Sequence, residues 1–83
     1  MTNSAVHVEV RFFASLREVT GCPALALELP AGADFAALCA VLADRLGPAA
    51  LEALTAGNVR VARNQTLATP PFALADGDEV AFL

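Results

Sequence analysis

Few side chains in this sequence have the type and spacing to do chemistry. His7 is the sole histidine, on the polar side of the alternating run Val6-His7-Val8-Glu9-Val10-Arg11-Phe12. A general base needs an oriented partner within hydrogen-bond reach. No sequence neighbour supplies one, so His7 reads as a solvent-exposed strand residue. Cys22 and Cys39 make no C-x-x-C pair and no ligand set with the histidine. A four-thiolate iron–sulfur cluster is out of their reach, so they read as free thiols of a reducing compartment. Cys39 falls near the apolar face of a helix, as a small hydrophobe would. Cys22 has only Arg17 nearby in sequence to activate it. Asp76, Asp78 and Glu79 crowd into one turn. A glycosidase-type acid/base pair needs a substrate cleft, and a metal needs more ligands than one turn supplies. The cluster reads as a charged turn, with electrostatic docking as its functional alternative. No Gly-rich phosphate loop, nucleophile elbow or metal motif occurs. No catalytic side chain, bound cofactor or metal is therefore expected.

The adjacent pair Phe12-Phe13 carries more information. Neighbours on a strand point to opposite faces, so if Phe12 enters the core, Phe13 leaves it. Burying a Phe is worth roughly 1.5–3 kcal/mol. A Phe left outside is either covered by a loop or offered to a partner.

Elements must position these residues, and the chain has 83 residues to build them from. That length suits one domain with one thin core, which works through its surface or its ends. The formal net charge is −4, and all five cationic side chains are arginines (Arg11, Arg17, Arg45, Arg60, Arg63). Phosphate-backbone binding needs clustered cations, so no nucleic-acid partner is expected. An acidic surface suits a protein with a basic face. Met1-Thr2-Asn3-Ser4 has no basic leader character. The longest apolar run, Phe35 to Ala43, is far short of a membrane span. The reading is a soluble, cytoplasmic protein with no membrane partner.

Val6–Phe12 alternates as a half-buried strand. Ala14–Glu18 suits a short helical turn closed near Gly21. Pro23–Leu29 alternates again, with Leu25, Leu27 and Leu29 on one face. Asp34 is a helix N-cap, and Phe35, Leu38, Leu42 and Leu46 form the stripe of the helix that follows. Gly47-Pro48 ends that helix and opens a shorter one through Leu51 and Leu54. Val59–Arg63 reads as a short strand, Asn64-Gln65 as a turn, and Leu67–Thr69 as a brief strand cut by Pro70-Pro71. After the Asp76-Gly77-Asp78 turn, Glu79–Leu83 forms an apolar last strand. Its apolar faces place it inside the sheet, parallel to the first strand. The expected class is α+β: a mixed sheet with one main helix packed on one face, in a single domain over 1–83.

Three segments support a resemblance. Phe12-Phe13-Ala14-Ser15-Leu16-Arg17-Glu18-Val19-Thr20-Gly21 resembles the F-F-A-x-x-R-E-x-x-G stretch of the molybdopterin synthase small subunit (the MoaD family). Asn64-Gln65-Thr66-Leu67 resembles that family's N-Q turn and following strand, and Asp76-Gly77-Asp78-Glu79-Val80-Ala81-Phe82 its D-G-D-E-V-A-F segment. The D-G-D element is shared by other ubiquitin-like sulfur carriers, whereas F-F-A-x-x-R-E favours the molybdopterin branch over the thiamine one.

The resemblance implies a β-grasp, ubiquitin-like sulfur carrier. In that family a C-terminal Gly-Gly is adenylated by a ubiquitin-activating-type adenylyltransferase with ATP, then converted to a thiocarboxylate. The small subunit, itself without catalytic side chains, docks on the large catalytic subunit of molybdopterin synthase. There it delivers sulfur for the dithiolene of the molybdenum cofactor. The sequence stops at Leu83, before such a tail, and a Gly-Gly continuation beyond Leu83 is expected. The family's docking surface maps onto Phe13, Leu67 and Leu83, with Arg17, Asp76, Asp78 and Glu79 expected to steer docking. The alternatives are a ubiquitin-like binding module that carries no sulfur, or a carrier for thiamine or cysteine synthesis.

Overall fold

A computed structural model describes residues 5–83; the Met1–Ser4 segment, read above as lacking leader character, lies outside the described residues. The chain runs β1 (Val6–Phe12), α1 (Leu16–Thr20), β2 (Ala24–Leu29), α2 (Phe35–Leu46), α3 (Pro48–Leu54), β3 (Val61–Arg63), β4 (Thr66–Ala68) and β5 (Asp78–Phe82). The strands form one sheet in the order β2-β1-β5-β3-β4. β1 pairs antiparallel with β2 and parallel with β5, and β3 is antiparallel to both its neighbours. This is the β-grasp: a mixed sheet holding a helix on one face.

The central place of β5 follows from its composition. Val80 and Phe82 are fully buried beside Val10 and Phe12 of β1, and Ala81 is small enough to be buried on the other face. Only a strand flanked on both sides can afford so little polarity. Phe12 and Phe82 stack at 6.0 Å, and Phe35 approaches Phe82 at 6.0 Å and Phe72 at 5.2 Å, within the range of favourable aromatic pairs.

α2 begins where Asp34 accepts a 2.9 Å hydrogen bond from the Ala37 N–H, the N-cap expected of it. Leu38 and Leu42 are fully buried, while Phe35 and Leu46 pack half-buried at the ends of the stripe. The helix closes at Gly47, whose φ of 95° is open to glycine, and Pro48 starts α3.

The strand bounds shift by one or two residues from the sequence reading. β3 starts at Val61 rather than Val59, β4 spans Thr66–Ala68, and β5 spans Asp78–Phe82. α1 begins at Leu16 rather than Ala14, because Ala14 adopts a left-handed φ of 54° that a helix cannot contain.

Candidate functional site

The alternation of β1 carries Phe13 to the face opposite α2. Its N–H donates to the Phe82 carbonyl at 3.1 Å, so it still belongs to the β1–β5 ladder. Leu83 extends β5 in the same way, exchanging hydrogen bonds with Arg60 at 2.8 and 2.9 Å. The third residue arrives through a hairpin. Asn64 and Gln65 have φ of 53° and 68°, the paired left-handed geometry of a two-residue turn between twisted strands. That turn sets Leu67 opposite Ala62, which in turn lies opposite Ala81.

Phe13 is 40% exposed, Leu83 45% and Leu67 62%. They surround a shallow depression with Ala62 and Ala81 as its floor. Large residues stand at the rim because small ones occupy the centre. Arg11 and Glu79 close one side, paired at 3.2 Å. The structure thus brings Phe13, Leu67 and Leu83 onto one apolar surface beside the end of β5.

The charged residues divide. Arg17 is exposed on α1 and shares a small hollow with Phe13 and Arg11. Glu79 borders the apolar depression. Asp76 does not: it precedes β5, whereas Leu83 follows it, a separation of about 20 Å at 3.3 Å per strand residue. Its carboxylate instead accepts from both the backbone N–H and Nδ1 of His7, each at 2.8 Å. Those two hydrogen bonds, the backbone one foremost, lower its pKa. His7 thus has the oriented partner that sequence neighbours failed to supply, from sixty-nine residues away, and Glu28 lies 3.7 Å from its Nε2.

Asp78 requires a correction. Expected to steer docking, it is only 6% exposed and faces inward from β5. Its Oδ2 accepts from Arg63 Nε and the Ala75 N–H, and its Oδ1 from Asn64 Nδ2, all at 2.8 Å. Burial works to raise its pKa. The hydrogen bonds from Asn64, Ala75 and Arg63, with the Arg63 charge, outweigh burial and hold the carboxyl below its usual range. Asp78 is a structural clamp between the β3–β4 hairpin and β5. Nothing in its D-G-D context distinguishes it from its exposed neighbour. The signal that could have found it is the strand alternation, since Asp78 shares a face with the buried Val80 and Phe82 once β5 is started at Asp78 rather than Glu79.

Cys22 and Cys39 are free, half-buried thiols, and burial raises the pKa of Cys39, which disfavours its nucleophilic form. Among the described residues no three His, Cys, Asp or Glu side chains are placed to share a metal ion. No helix among them is long and apolar enough to cross a membrane.

The sequence matches the ThiS family over residues 10–83. The chain belongs to the ThiS family. No curated protein matches it, but solved structures do. A Pyrococcus furiosus protein assigned as molybdopterin converting factor subunit 1 is 26% identical, with a TM-score of 0.75 over 93% of this chain and 94% of that one. The small archaeal modifier protein 1 of Haloferax volcanii is 28% identical, with a TM-score of 0.77 over 93% and 94%. That of Methanosarcina acetivorans, at 24% identity and a TM-score of 0.76 over 96% and 93%, shares the fold. This ThiS-family chain therefore has the ubiquitin-like fold of sulfur carriers, with its apolar surface at the end of β5.

Proposed function

We propose that this ThiS-family chain is the sulfur-carrier small subunit of molybdopterin synthase. The observation that carries the reading is the position of Leu83. Its backbone is pinned to Arg60 and its side chain shares one apolar surface with Phe13 and Leu67. A continuation past Leu83 would leave the domain beside the surface that docks. A partner covering that surface would receive the tail into its own pocket.

The chemistry resides in the tail and the partners. A terminal glycine carboxylate attacks the α-phosphorus of ATP, giving an acyl-adenylate and releasing pyrophosphate. A sulfide-level donor then attacks the acyl carbon, and AMP leaves with the former carboxylate oxygen. The product is a thiocarboxylate, whose sulfur bonds to the pterin precursor on the large catalytic subunit; water then cleaves the acyl–sulfur bond, which restores the glycine carboxylate and leaves the sulfur on the precursor. The β-grasp domain contributes recognition: the apolar surface supplies docking area, and Arg17 and Glu79 supply charge at its borders. The resemblance to a molybdopterin converting factor subunit and the F-F-A-x-x-R-E stretch both support this pathway. The likeness to small archaeal modifier proteins supports a second reading, in which the activated end is joined to an amine of another protein.

Intact mass of the natively expressed protein, with and without the activating enzyme and ATP, tests the reading. An end in Gly-Gly that undergoes oxygen-to-sulfur exchange supports the carrier. A mass that never changes refutes it, and a covalent adduct with another protein supports the modifier.

A further inference from the structure

The edge of the sheet farthest from the apolar surface is unguarded. β2 is an edge strand of six residues, Ala24-Leu25-Ala26-Leu27-Glu28-Leu29. Its pairing with β1 runs through six successive residues without a bulge. It has no proline, no lysine and a single charge, so it lacks the usual devices that keep edges from pairing. The opposite edge, β4, is only three residues long and is followed by Pro70-Pro71.

The register shows which groups are free. The Phe12 N–H donates to the Pro23 carbonyl at 2.9 Å. Antiparallel pairs alternate between bonded and non-bonded. Leu25, Leu27 and Leu29 therefore bond to β1, and Ala24, Ala26 and Glu28 turn their N–H and C=O groups outward. The ladder on the other side of β1 agrees, since His7 and Phe13 bond toward β5. Among the described residues none of these outward groups has a hydrogen-bond partner.

We infer that β2 pairs antiparallel with β2 of a second copy of this chain, about a two-fold axis through Ala26. In that register Ala26 faces its own copy and Ala24 faces the partner's Glu28. Every outward N–H meets a C=O, and no glutamate opposes a glutamate. On the helix side Leu25, half-buried in the single chain, meets the partner's Leu27. A β2–β2 contact joins two sheets into one and leaves Phe13, Leu67 and Leu83 free on each copy. Strand pairing of this length buries little surface, which suits a weak, reversible dimer. Two chains of net charge −4 repel each other, so added salt tightens the pairing.

Sedimentation velocity of the whole chain from micromolar to millimolar concentration, with amide hydrogen exchange, tests this. The expected result is reversible dimerisation, strengthened by salt, with the Ala24, Ala26 and Glu28 amides slowing as dimer forms. Ala26→Lys sets like charges against each other across the axis and abolishes the dimer. Mixing Ala26→Lys with Ala26→Glu restores it, each variant first checked for a native amide spectrum. Leu67→Asp leaves it intact. A chain monomeric throughout, a dimer that survives Ala26→Lys, or one lost in Leu67→Asp overturns the inference. So does a monomer whose Ala24, Ala26 and Glu28 amides are protected only by an added extended peptide.

Discussion

Leu83 and Arg60 exchange both of their backbone hydrogen bonds, at 2.8 and 2.9 Å. Leu83 is thereby tied into the sheet by the same kind of paired hydrogen bonds as the strand that precedes it. Its side chain keeps a fixed place beside Phe13, and the direction in which a continuation would leave is set by the sheet.

The apolar surface can be tested without disturbing the fold. Leu67 is 62% exposed and contributes little to the core. On the proposed function, Leu67→Asp is expected to weaken binding to the large subunit of molybdopterin synthase roughly ten- to hundredfold, the range of an interface anchor. Its thermal midpoint should stay near wild type. Phe13→Ala should weaken binding similarly, with a stability loss of about 1 kcal/mol from its half-buried ring. Titration calorimetry and thermal melts read both, and wild-type affinity in either variant removes that residue from the docking surface.

Asp78 predicts an acid-side loss of stability. Its folded pKa lies below the ordinary 3.8, so the folded state favours the ionised form. That contribution is fully present above the unfolded value and is lost as pH falls through the folded one. Asp78→Asn should cost about 2 kcal/mol at neutral pH, since Arg63, Asn64 and the Ala75 N–H lose a charged acceptor. The partly exposed Arg63 moderates the loss. Urea unfolding from pH 7 to below pH 3 should show a constant gap between the two proteins above the unfolded value of 3.8 and a narrowing gap below it. No gap at neutral pH, or a gap that stays unchanged below pH 3.8, would mean that Asp78 is no clamp.

Ala14 sits at φ 54° between Phe13 and α1. A left-handed alanine costs about 1 kcal/mol relative to glycine. Ala14→Gly should therefore stabilise the fold by up to about 1 kcal/mol, offset in part by the freer unfolded chain. Denaturant midpoints measure this directly. A clear destabilisation would mean that the alanine methyl group makes a packing contact worth more than its backbone strain.

Most of the fold is legible in the local sequence pattern. Period-2 alternation gave β1 and β2, the Asp34 cap and leucine stripe gave α2, and the double-sided apolarity of the last strand put β5 in the middle of the sheet. These are local patterns, and burial preference along a single element is enough to write them. The outward Phe13 was equally legible, because adjacent strand residues must part to opposite faces.

Tertiary structure alone decided the rest. That Leu67 and Leu83 stand with Phe13 around Ala62 and Ala81 depends on the order of five strands and on a two-residue turn. The division of the acidic turn, with Asp76 on His7 at one surface and Asp78 beneath Arg63 and Asn64, depends on register between residues some fifteen to seventy positions apart. Hydrogen-bond partners at such separations leave no mark in the local pattern. They arise only when the sheet brings distant strands to within 5 Å of each other.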